Sequence, residues 1–272
     1  MVRKYYQKLL SSANFIYLHI VIILQSPFQK GFMYSQRGVK MSLNLGMFPI
    51  ALMLLALLIP LIYCLKWRRE NLRKVVIIFI CCILIVIGYR ITVDLGKIIE
   101  PILGYFIGKF ILFTLFPLLV IIYLEKSKIK TALMQTGVRK DKLSVSFLLG
   151  VGALVITATL TLIIWWGKIE PNSVYWNFVM FFEAFNEEFL FRGVLLLYLW
   201  KITNLKVAYS TSVLAFILAH PQHLTQMSLI IVSAQGILWG VITYKTKNLI
   251  GSWVSHGLNR IIPSLISIVL GV

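Results

Sequence analysis

A chain of 272 residues that is 59% hydrophobic and only 13% charged is too apolar for a soluble domain, and its apolar residues come in runs long enough to cross a bilayer. The formal net charge of +18, from 27 Lys and Arg against 9 Asp and Glu, sits in short breaks between those runs. It therefore reads as membrane topology and contact with anionic lipid, and argues against nucleic acid as a partner. The cysteines, Cys64, Cys81 and Cys82, lie in apolar runs with no C-x-x-C or Cys/His spacing, so they are expected to be packing residues.

In chain order, residues 1–40 form a basic N-terminal segment in which Arg3, Lys4 and Lys8 precede a short apolar helix, 13–24. This is expected to be an uncleaved anchor or an interfacial helix, with His19 incidental and Met41 and Met47 as alternative starts. Residues 41–144 supply the N-terminal membrane helices: 47–65, 75–89 and 102–124, with a loop over Arg90, Asp94, Lys97 and Glu100. Residues 145–272 form the core, with spans at 145–166, 175–200, 207–220 (stopped by Pro221), 226–244 and 249–272. The predicted fold is an all-α, polytopic transmembrane helical bundle of about seven to eight membrane helices around a central intramembrane polar site. The basic clusters at 66–74, 126–142, 201–206 and 245–247 fall on one side, which the positive-inside rule makes cytoplasmic. Gly104–Gly108 and Gly236–Gly240 read as small-x-x-x-small helix packing.

One stretch breaks the apolar pattern. Residues 181–193 read Phe-Phe-Glu-Ala-Phe-Asn-Glu-Glu-Phe-Leu-Phe-Arg-Gly, and each charge at the centre of a membrane helix costs at least about 2.5–3.5 kcal/mol. Glu183 and Glu187 are spaced to share a helix face. Glu188 and Arg192 have the favoured acid-first ion-pair spacing. That pairing leaves Glu187, about 100° round the helix, as the acid available for chemistry. A purely structural ion-pair cluster explains the spacing equally well. His220 ends an apolar helix, and His256 lies within the last one; each alone reads as a packing residue. Together, Glu187, His220 and His256 form a hydrolytic set, with a carboxylate base and histidine partners. They are equally a three-ligand set for zinc. There is no H-E-x-x-H, no G-x-S-x-G and no phosphate-binding glycine loop.

Glu187-Glu188-x-x-x-Arg192, Phe216-x-x-x-His220 and His256, with the run from Gly236 through Ser252-Trp253-Val254-Ser255, resemble the signature of the CPBP family over roughly residues 175–265. This family comprises the type II CAAX prenyl endopeptidases and the bacteriocin-processing or Abi proteins. The resemblance implies an intramembrane endopeptidase in which Glu187 and His220 activate water, and His256 with an amide of the last helix stabilises the oxyanion. Glu188 and Arg192 would be supporting residues. The family carries Asn or Asp four residues after the last histidine. Here that position is Arg260, with Asn259 before it. Asn259 is then the expected substitute, while Arg260 either stabilises an oxyanion or repels a substrate group. The departure also motivates an alternative, a catalytically inactive scaffold or immunity protein of the same fold. The resemblance leaves metal use open, with Glu187, His220 and His256 as candidate zinc ligands, and the reading leans to the glutamate mechanism. The expected substrate is a membrane-associated peptide or protein in a bacterial plasma membrane, with peptide or bacteriocin maturation or self-immunity as the role. A transporter is disfavoured, because no paired half-repeats are seen.

Overall fold

The computed structural model describes residues 48–166, 169, 172–224 and 226–270. The expected 13–24 helix, His19, Met41 and Met47 lie outside the described residues. Within them the chain is helical with no strand, as an apolar chain must be when lipid offers its backbone no hydrogen bonds.

The first apolar run forms three consecutive stretches, α1 Phe48–Ala51, α2 Met53–Ala56 and α3 Leu58–Trp67. Pro60 has no N–H for the Ala56 carbonyl, and the helix breaks beside it at Leu57. α4 Leu72–Gly88 follows a 3-10 turn. The expected loop at 90–100 is instead a short amphipathic helix, α5 Arg90–Ile98, carrying an Asp94–Lys97 ion pair of 3.0 Å. α6 Pro101–Lys109 is capped by the Glu100 carboxylate, which accepts from the Leu103 N–H at 2.8 Å. It widens into a π-helical stretch, π1 Phe110–Leu115, and continues as α7 Phe116–Glu125. A short α8 Ile129–Gln135 leads to α9 Leu143–Ile164. α10 Val174–Glu188 passes into a second π-helical stretch, π2 Phe189–Tyr198, whose residues are all buried, and ends in α11 Leu199–Ile202. α12 Leu205–Leu218, α13 Ser228–Thr246 and α14 Ile250–Leu270 complete the bundle. Among the described residues, four helices have the length and composition of full spans: Arg69–Gly88, Pro101–Glu125, Leu143–Ile164 and Ser228–Thr246. Met53–Trp67 and Leu205–Leu218 are shorter apolar helices.

Side-chain contacts gather the basic stretches at one end. Glu125 accepts from Lys74 at 2.7 Å and Tyr198 at 2.9 Å, and also from Lys201. Asn248 donates to the carbonyls of Arg139 at 2.7 Å and Asp141 at 3.0 Å. At the opposite end Tyr175 donates to Glu100 at 2.9 Å. Buried packing depends on glycine where backbones touch. A Cβ on Gly104 would lie 2.4 Å from the Gly96 backbone, which is how α5 and α6 close against each other.

Lys247, at the end of α13, adopts a left-handed conformation (φ 58°) and places its ammonium 2.9 Å from the Trp200 ring centroid. Burial, then the neighbouring Lys142 and Arg139, pushes this ammonium down to about 8. The penalty for holding the charge is fully present below that value. It fades as pH rises toward the ordinary 10.5, because the unfolded chain then binds the extra proton. The unfolding temperature in detergent is therefore expected to climb between pH 8 and pH 10, by less in Lys247→Met than in wild type.

Candidate active site

α10 and π2 form the helix that organises the centre of the bundle. Glu183, Glu187, Glu188 and Arg192 project from it, and all are buried. Glu188 and Arg192 pair as their spacing predicts, with Arg192 Nε 3.3 Å from Glu188 Oε2. The guanidinium packs 4.2 Å from the Phe216 ring centroid and 5.6 Å from that of Trp239, a cation over two aromatic faces.

His220 lies just past the end of α12, where Pro221 stops the helix. Its Nδ1 is 2.8 Å from the Phe216 carbonyl. A carbonyl only accepts, so Nδ1 carries the proton and Nε2 of the neutral ring offers a lone pair. His256 lies on α14 and stacks on Trp239, with centroids 4.3 Å apart and planes at 20°. Trp239 is itself held by a 2.8 Å bond from Nε1 to Ser255. His256 Nδ1 is 2.9 Å from Glu188 Oε1, which again assigns the proton to Nδ1 and the lone pair to Nε2. The two Nε2 atoms converge on one oxygen. Glu187 Oε2 is 3.8 Å from that of His220 and 3.7 Å from that of His256. Both separations exceed a direct hydrogen bond and suit one bridging water. Oε2 is buried and has no protein hydrogen-bond partner among the described residues.

The other Glu187 oxygen is occupied. Oε1 accepts from the ammonium of Lys109, and Arg260 Nη2 lies 3.1 Å from it. The same two cations hold Glu183: Lys109 Nζ is 2.6 Å from Glu183 Oε1, and Arg260 Nη1 bonds Glu183 Oε2. The expectation that Glu187 stands unneutralised is thus corrected, since one of its oxygens is paired twice and only the other is free. Helical spacing on one segment could not show this, because both cations come from distant helices. Lys109 carried no local motif. Its signal was a lysine inside an apolar span, with no route by which to reach the interface. Asn259 is buried, and its Oδ1 has no hydrogen-bond partner among the described residues.

Asn186 accepts a 2.7 Å bond from Thr114 of π1. Thr114→Val is expected to destabilise the fold by about 1–3 kcal/mol, because Asn186 Oδ1 is left buried without a donor. A lower unfolding temperature in detergent micelles would register the loss.

The fit of a dication can be tested on charge. With both imidazoles neutral, Glu183, Glu187 and Glu188 are balanced by Lys109, Arg192 and Arg260. A bound Zn²⁺ would add two uncompensated charges in a low-dielectric interior. Among the described residues no group of three or more His, Cys, Asp or Glu is arranged to hold a metal ion.

Fold and site together give an all-helical membrane bundle with a buried carboxylate–histidine cluster. Residues 169–262 match the family model of type II CAAX prenyl endopeptidase Rce1-like proteins, the family that the motifs resemble. The match covers about a third of the chain. It contains Glu187, Glu188, Arg192, His220, His256, Asn259 and Arg260, whereas Lys109 lies outside it. No curated protein and no solved structure matches the chain.

Proposed function

We propose that this protein hydrolyses a peptide bond of a membrane-associated peptide or protein, using water activated by Glu187. One observation carries the reading: the free oxygen of Glu187 faces the Nε2 atoms of both histidines at 3.7 and 3.8 Å. Water held there passes a proton to Glu187 Oε2, with His220 Nε2 accepting a hydrogen bond from the same water. The hydroxide attacks the scissile carbonyl. His256 Nε2 then takes that proton from Glu187 and donates it in a hydrogen bond to the oxyanion, with the Glu188 carboxylate facing the imidazolium at Nδ1. Collapse of the tetrahedral intermediate breaks the C–N bond, and the proton on His256 leaves with the amine, returning the ring to its neutral form. Arg192 holds Glu188, and through it the orientation of His256.

The basic end is taken to face the cytoplasm and anionic lipid of a bacterial plasma membrane. Maturation of a membrane peptide or bacteriocin, or self-immunity, is the role this reading favours. Arg260, standing where the resembling family has Asn or Asp, supports a second reading, an inactive scaffold or immunity protein. Profiling of membrane peptides from cells carrying wild type or Glu187→Gln separates the two. Endopeptidase action predicts an uncut precursor that accumulates with the variant. Identical profiles with retained biological function favour the scaffold.

A further inference from the structure

We infer that Lys109 and Arg260 are positioning residues for Glu187: they hold Oε1 so that Oε2 faces the two imidazoles, with Glu183 as the anion that fixes both cations. The inference deepens the peptidase reading above and rests on it.

A terminal carboxylate torsion is broad and roughly two-fold, so helix geometry alone does not decide where the two oxygens point. Here the decision is made from two separate helices. Lys109 reaches in from α6 and Arg260 from α14, and each contacts both Glu183 and Glu187. Lys109 is 3% exposed and cannot reach the interface. Its ammonium sits 4.9 Å from the Tyr105 ring centroid and 5.3 Å from that of Phe113. Arg260 is further steadied by a 3.4 Å contact from Nη1 to the Met180 carbonyl. Glu183 and Glu187 share a face of α10, so as an unpaired couple they would repel each other. Two cations against two acids make the cluster neutral. Arg260 is thus not a stray charge beside the reacting groups. It belongs to a balanced set completed by Lys109 and Glu183.

The test uses the full chain reconstituted in liposomes, with an internally quenched form of the membrane peptide whose precursor accumulates in Glu187→Gln cells as the probe. Lys109→Met and Arg260→Asn are each expected to lower kcat about 100-fold, the scale of a misplaced reacting group, with KM within about twofold. Lys109→Arg and Arg260→Lys are expected to recover most of that kcat, which a loss of packing alone would not explain. Wild-type kcat in both Lys109→Met and Arg260→Asn, beside an inactive Glu187→Gln, overturns the positioning role and leaves the peptidase reading standing. An active Glu187→Gln overturns the peptidase reading instead.

Discussion

Glu187→Gln is expected to lower kcat by about 10⁴-fold, the upper end of what a positioned general base contributes, without loss of the helical fold. The substitution is nearly isosteric, and the cations decide its orientation. Lys109 and Arg260 occupy the Oε1 position as donors, so they select the amide oxygen there. The amide nitrogen then falls where Oε2 stood. It presents N–H groups to the lone pairs of His220 and His256 and holds no basic site for water. Glu183 still binds both cations, which keeps α6, α10 and α14 together. Circular dichroism should be unchanged while cleavage is lost. Helix content that falls with activity would leave the base role unsupported.

The second large effect lies away from the chemistry, at the crossing of α9 and α14. A Cβ on Gly251 would stand 2.0 Å from the Ser146 carbonyl oxygen, and one on Gly150 would stand 2.3 Å from the Gly251 carbonyl oxygen. Both obstacles are backbone, so neither side can yield by rotating a side chain. Gly251→Leu must push α14 off α9, and His256 travels with it. The expected cost exceeds about 3 kcal/mol, beyond ordinary overpacking, and activity falls with stability. Gly152→Leu is the control, because nothing lies within 4 Å of a Cβ there. It should unfold in detergent at the wild-type temperature. Equal tolerance of both substitutions would show that the crossing is looser than its backbone distances imply.

Much of this arrangement was legible in the chain. The apolar runs mark the helices, because a membrane leaves a hydrophobic backbone little alternative. The spacing of Glu188 and Arg192 gives their ion pair. Family resemblance, not spacing, brings His220 and His256 to Glu187. The rest depended on three dimensions. Lys109 meets Glu187 across 78 residues of sequence, and nothing near Lys109 announces that partner. Arg260 looked like a departure from a motif, since Glu183 and Lys109, which offset it, sit on other helices. The helix at Arg90–Ile98 was hidden because its charges, Arg90, Asp94 and Lys97, resemble those of a loop. The two π-helical stretches have no compositional mark. Yet one directly follows Lys109, the other directly follows Glu188, and Phe113 of the first meets Phe191 of the second edge to face at 6.5 Å.

Glu187 is proposed to direct water onto a peptide bond inside the membrane. The most direct measurement is cleavage of the liposome-embedded quenched peptide by the purified chain in ¹⁸O-labelled water, with mass spectrometry of the product. One ¹⁸O atom is expected in the new C-terminal carboxyl group with wild type, and product formed about 10⁴-fold more slowly with Glu187→Gln. Labelled product formed at equal rates by both proteins would contradict it.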